Sequence, residues 1–108
     1  MTDDRGLREF QRLIESIYHR RDSARGVAGT YMWFMEETGE LARSLLSGEP
    51  GSAAEAEEFA DCLAWLSTLA SIRGVDLARA AWDKYGAGCP RCTGIPCRCP
   101  ERGSRSER

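Results

Sequence analysis

The sequence predicts an all-α protein. Three observations carry this: apolar residues recur at three- and four-residue steps, no segment shows the strict alternation of a half-buried strand, and glycines or capping residues punctuate the periodic runs. At 108 residues and 42% apolar content the chain suits one small domain with a modest core. The expected architecture is a four-helix bundle over residues 1–86, a cysteine-rich segment over 87–100 and a disordered polar tail over 101–108.

Leu7, Phe10, Leu13, Ile14, Ile17 and Tyr18 fall on one stripe of a first helix that starts after Asp3 or Asp4. The following "RRDSARGVAG" has two glycines and no periodicity, and reads as a connection. Thr30 then caps a second helix running to about Leu46, with Gly48 beyond its end and Pro50 blocking continuation.

"SAAE" at 52–55 is a capping box, in which the Ser52 side chain accepts from the Glu55 amide and the Glu55 carboxylate reaches back to the Ser52 amide. The third helix begins there and runs to Arg73, where Gly74 supplies a left-handed stop. Its centre, "CLAWLSTLASI", is apolar on nearly every face and has to be buried, in part against another copy of the chain. Asp76 caps a fourth helix, "LARAAWDKY", which ends at Gly86.

Charge excludes some functions. Fourteen arginines and one lysine oppose seventeen acids for a net charge of -2, so no basic surface suits a polyanion. Arg91, Arg98, Arg102 and Arg105 lack neighbouring aromatics for base stacking, so nucleic acid is not an expected partner. No apolar run approaches the ~20 residues of a membrane span, and "MTDDRGLREF" lacks the apolar core of a secretory signal. A cytoplasmic location is expected.

The acids are concentrated in "EETGELARSLLSGEPGSAAEAEEFAD" at 36–61. Glu37 and Glu40 are three residues apart on the second helix, and Glu58 and Asp61 three apart on the third, so each pair projects from one helix face. Opposed, the two faces gather four carboxylates, whose repulsion is relieved by raised pKa values or by bound cations. All-oxygen ligands select hard ions, Mg²⁺ first, with Mn²⁺ or Ca²⁺ as alternatives. The competing reading is a pair of solvated helix faces, but these acids border the apolar residues instead of lying opposite them. Gly39, costly inside a helix, suggests a position where bulk is unwelcome. Trp33, one turn before Glu37, is either core or a flat face for a base.

These residues resemble the MazG-like nucleoside triphosphate pyrophosphohydrolases, an all-α superfamily whose pattern is Glu-Glu-x-x-Glu followed, after a gap, by Glu-x-x-Asp. "EETGE" at 36–40 matches the first part and "EFAD" at 58–61 the second, and the likeness extends over residues 30–86. The resemblance implies Mg²⁺-dependent hydrolysis of a nucleoside triphosphate between its α- and β-phosphates, giving the monophosphate and pyrophosphate, by a homodimer or higher homo-oligomer. It assigns Glu37, Glu40, Glu58 and Asp61 as metal ligands. Glu36 and Glu57, beside ligand positions, are candidates to orient or deprotonate the attacking water. Lys84 stands where family members carry basic phosphate contacts, and His19, Arg20 and Arg21 are further sources of positive charge or simply a basic helix end. Where the family has an asparagine and more basic residues, this chain has glycines and cysteines.

Cys89, Cys92, Cys97 and Cys99 form C-x2-C-x4-C-x-C, stiffened by Pro90, Pro96 and Pro100. Four thiolates complete a tetrahedral structural Zn²⁺ shell; two disulfides, an iron–sulfur centre or reduced thiols are the other readings. Cys62, inside the apolar helix, reads as a small buried hydrophobe. The alternative to an enzyme is a non-catalytic helical module that binds nucleotide or metal and uses the zinc segment to dock a protein partner.

Overall fold

A computed structural model describes residues 6–101. Asp3 and Asp4 lie outside the described residues, as does the tail from residue 102. The protein is all-helical, with α1 at Leu7–Ser47, α2 at Ala53–Ile72 and α3 at Leu77–Tyr85, and no strand among the described residues. None of these helices is long and apolar enough to cross a membrane. The chain divides into two compact units at Ala78 and Arg79, inside α3.

The expected connection at 20–29 is itself helical. The first two expected helices run on as α1, broken only at Gly26, where φ 81 and ψ -179 fall in a region essentially restricted to glycine. Thr30 is therefore no helix start: it is fully buried within α1, and its Oγ1 accepts a hydrogen bond from Arg25 Nη1 at 3.3 Å. Arg25 Nη1 also donates to Asp22 Oδ1 at 3.0 Å, and Asp22 Oδ2 accepts from Thr68 Oγ1 of α2 at 3.1 Å. A buried polar network thus straddles the break and ties it to α2. Polar groups removed from water need such partners, and here each has one.

Early residues of α1 meet late residues of α2, so the two helices form an antiparallel pair. Gln11, buried on α1, donates to Ser71 Oγ at 3.1 Å and to the Val75 carbonyl at 2.8 Å, while its Oε1 accepts from the Leu77 amide at 2.9 Å. One side chain thereby fixes the end of α2 and satisfies an otherwise orphan amide at the start of α3. Nearby, Arg8 Nε pairs with Asp76 Oδ2 at 2.7 Å.

Local chemistry explains the helix ends. Ser52 Oγ accepts from the Glu55 amide at 3.1 Å, as its capping role requires. The Glu55 carboxylate takes the Gly51 amide at 3.0 Å, because the Ser52 amide already donates to the Glu49 carbonyl at 3.2 Å. At the far end Gly74 is left-handed at φ 73, and the Gly74 and Val75 amides bond back to Ser71 and Ala70, closing a Schellman motif.

The core is thin. Ile14 and Ala70 are the only buried apolar residues among those described, and Phe59, Leu63 and Leu66 of α2 remain 52%, 38% and 40% exposed.

Candidate functional site

Trp33 on α1 stacks on Trp65 of α2, with ring centroids 6.1 Å apart and an interplanar angle of 12°. The Arg25 guanidinium lies over the Trp65 ring, 5.0 Å from its centroid. In an antiparallel pair, one turn onward from Trp33 leads to Glu37 and one turn back from Trp65 leads to Asp61. The aromatic rung thus sets the register that brings the acids together.

Carboxylate oxygens of Glu37, Glu58 and Asp61 lie within 4.8 Å of one another, Glu37 and Glu58 half-buried and Asp61 exposed. The Glu37 pKa is raised, first by burial and then by the charges of Asp61, Glu58, Glu40 and Glu36. Of the four expected ligands the structure gathers three, while Glu40 is exposed, outside the triad but near enough to act on Glu37. Glu36 and Glu57 are exposed. The three acids form a cluster able to hold a metal ion.

A Cβ at Gly39 meets nothing within 4 Å, so no crowding inside the chain calls for glycine there. Cys62 is half-buried, and it lies near enough to the acids to feel their charge. Burial and the charges of Glu37, Asp61 and Glu58 push its pKa up, so it stays protonated. Trp65 and Arg25 are not singled out by the sequence pattern; the mirrored four-residue spacings Trp33–Glu37 and Asp61–Trp65 are the signal that points to the first.

A cavity of about 270 Å³ opens away from the triad, lined by Glu15, His19, Asp22, Ser23, Thr68 and Ser71. His19 Nδ1 stands 3.5 Å from Ser23 Oγ, and Arg20 and Arg21 are exposed. Asp22 on the cavity wall is already held by Arg25 and Thr68.

In the second unit, Lys84 Nζ sits over the Tyr85 ring, 5.5 Å from its centroid. The Sγ atoms of Cys89, Cys92, Cys97 and Cys99 lie within 4.8 Å of one another and form no disulfide. The Cys89 thiol is lowered to about 6 by the Cys92 and Arg91 amides, and that of Cys92 is lowered by the Arg98 and Gly94 amides. Cys99 is pushed up to about 12, chiefly by its thiol contacts with Cys97 and Cys89. Cys89 and Cys99 face each other at 3.7 Å. These four residues form a cluster able to hold a metal ion.

No protein-family model matches the chain, and no curated protein matches it.

Proposed function

We propose that the protein is a Mg²⁺-dependent nucleotide pyrophosphohydrolase that cleaves a nucleoside triphosphate between its α- and β-phosphates. The observation that carries this reading is the convergence of Glu37, Glu58 and Asp61 oxygens from two helices within 4.8 Å. The resemblance of "EETGE" and "EFAD" to the MazG-like pattern supplies the reaction. Glu37, Glu58 and Asp61 hold Mg²⁺, or Mn²⁺ in its place, and Glu40 joins them on rotation of its exposed side chain. The ion neutralises the triphosphate and polarises the attacked phosphorus. Glu36 orients the attacking water, and the half-exposed Trp33 offers a ring edge to the base.

The working form is a four-helix homodimer or higher homo-oligomer, supported by the uncovered apolar stripe of α2. Zn²⁺ in the cysteine cluster takes no part in the reaction.

Purified protein with Mg²⁺ is expected to release pyrophosphate from at least one member of a triphosphate panel. Asp61→Asn is expected to lower the rate by at least about 100-fold while leaving the circular dichroism of the helices unchanged. Tight binding of a non-hydrolysable triphosphate with no turnover of any substrate assigns the non-catalytic module instead.

A further inference from the structure

The second unit carries a tight thiol-lined loop. The Cys89 carbonyl accepts from the Thr93 amide at 2.7 Å and the Cys89 amide donates to the Gly94 carbonyl at 3.2 Å, folding 89–94 into a closed turn. Cys92 Sγ receives two backbone amides, from Gly94 at 3.3 Å and Arg98 at 3.2 Å, and Cys97 Sγ receives the Cys99 amide at 3.3 Å. Amides aimed at sulfur stabilise thiolate over thiol. Gly94 is buried, and a Cβ there meets the Pro96 carbonyl oxygen at 2.7 Å and Cys92 Sγ at 3.2 Å, so the loop closes without room for a side chain. Arg98 Cζ lies 3.3 Å from that same point, which places a guanidinium on the side of the Cys92 sulfur.

The sulfur spacing fits a single tetrahedral ion. Ligands of a tetrahedral Zn²⁺ with bonds of about 2.3 Å stand about 3.8 Å apart. Cys89 and Cys99 are 3.7 Å apart and Cys92 and Cys97 4.0 Å apart. Disulfide sulfurs require about 2.05 Å. An iron–sulfur cluster that shares its thiolates among several irons holds them further apart than one ion does.

We infer that Cys89, Cys92, Cys97 and Cys99 bind one Zn²⁺ as a closed tetrathiolate shell, and that this ion holds residues 86–100 in their folded form. Zn²⁺ displaces the four thiol protons to give a centre of net charge -2, which the amides on Cys92 and Cys97 and the arginines at 91 and 98 offset. With all four positions filled by sulfur, no site remains for water, so the ion is structural. Short polar segments with few apolar residues fold on such an ion because binding energy replaces a core. This inference does not depend on the hydrolase reading.

The full-length chain, purified without chelator, is expected to contain one zinc per chain by elemental analysis. Replacing zinc with Co²⁺ is expected to give the visible absorption of a tetrahedral thiolate site. A thiol reagent is then expected to titrate at most Cys62, and all five cysteines after chelation. The double variant Cys92→Ser, Cys97→Ser is expected to lose the zinc and the cobalt spectrum while the helical circular dichroism persists, a control that separates metal loss from misfolding. Zinc content unchanged in that variant, iron in place of zinc, a chain mass reduced by the hydrogens of two disulfides, or five free thiols before chelation overturns the inference.

Discussion

Trp33 and Trp65 stack at 6.1 Å across α1 and α2, one helical turn from Glu37 and Asp61 respectively. Aromatic stacking favours closeness of the two helices where the carboxylates disfavour it. The rings therefore hold together a pair that like charge pushes apart. Trp65→Ala is expected to destabilise the fold by about 3 kcal/mol, since it removes both the stack and the Arg25 contact. Trp33→Ala, at a position 48% exposed, is expected to cost about half as much. Denaturant titration of both variants measures the difference.

Gly26 and Gly39 lie on the same helix and respond oppositely to a methyl group. Gly26 has φ 81 and ψ -179, where an L-residue is strained, so Gly26→Ala is expected to cost about 2 kcal/mol. The backbone of Gly39 is helical and its Cβ position is open, so Gly39→Ala is expected to stabilise the chain by about 1 kcal/mol through helix propensity alone. Thermal unfolding in metal-free buffer resolves the two signs.

The Gly26 break shows why part of the fold was hidden in the sequence. Reading 20–29 as a connection relied on the absence of apolar periodicity, yet the residues that α1 buries there are Asp22 and Thr30, with Arg25 beside them. A helix face buried through polar groups leaves no hydrophobic stripe to detect. The ends of α2 were legible because caps act locally: Ser52 bonds to an amide three residues on, and Gly74 needs only its own backbone freedom. Spacing also brought out Glu37, Glu58 and Asp61. It left Glu40 outside the triad unrecognised, because face and depth on a helix depend on the partner helix as well as on the period. The apolar centre of α2 likewise gave no preferred face, so the placement of Trp65 toward Trp33 required the structure.

Phe59, Leu63 and Leu66 stand four and three residues apart, on one stripe of α2, and all are exposed in the single chain. Apolar side chains arranged in this way, beside only two buried apolar residues among those described, are expected to be covered by a second copy. Light scattering on the eluting protein is expected to give twice the 12.0 kDa chain mass or a higher multiple. Leu63→Arg is expected to shift it to the monomer and lower the melting temperature, because a charge placed in that contact has no partner.

Glu37 links the site to pH. Its carboxyl titrates above the ordinary value of 4.5 because burial and four neighbouring acids disfavour its charge. The folded chain therefore binds this proton more tightly than the unfolded chain does. Ionised Glu37 lowers stability, and the loss sets in as pH rises from 4.5 through the raised value and is complete above it. Glu37→Gln removes the charge while keeping the shape. In chelator at neutral pH the variant is expected to melt above the wild type, and the gap is expected to close as pH falls toward 4.5. Adding Mg²⁺ at neutral pH is expected to reverse the order, since a cation that binds the folded triad stabilises the wild type in proportion to its occupancy and finds one charge fewer in the variant. Melting curves over pH with and without Mg²⁺ measure all three; a wild type that melts identically with and without the ion at neutral pH would remove Glu37 from any metal site.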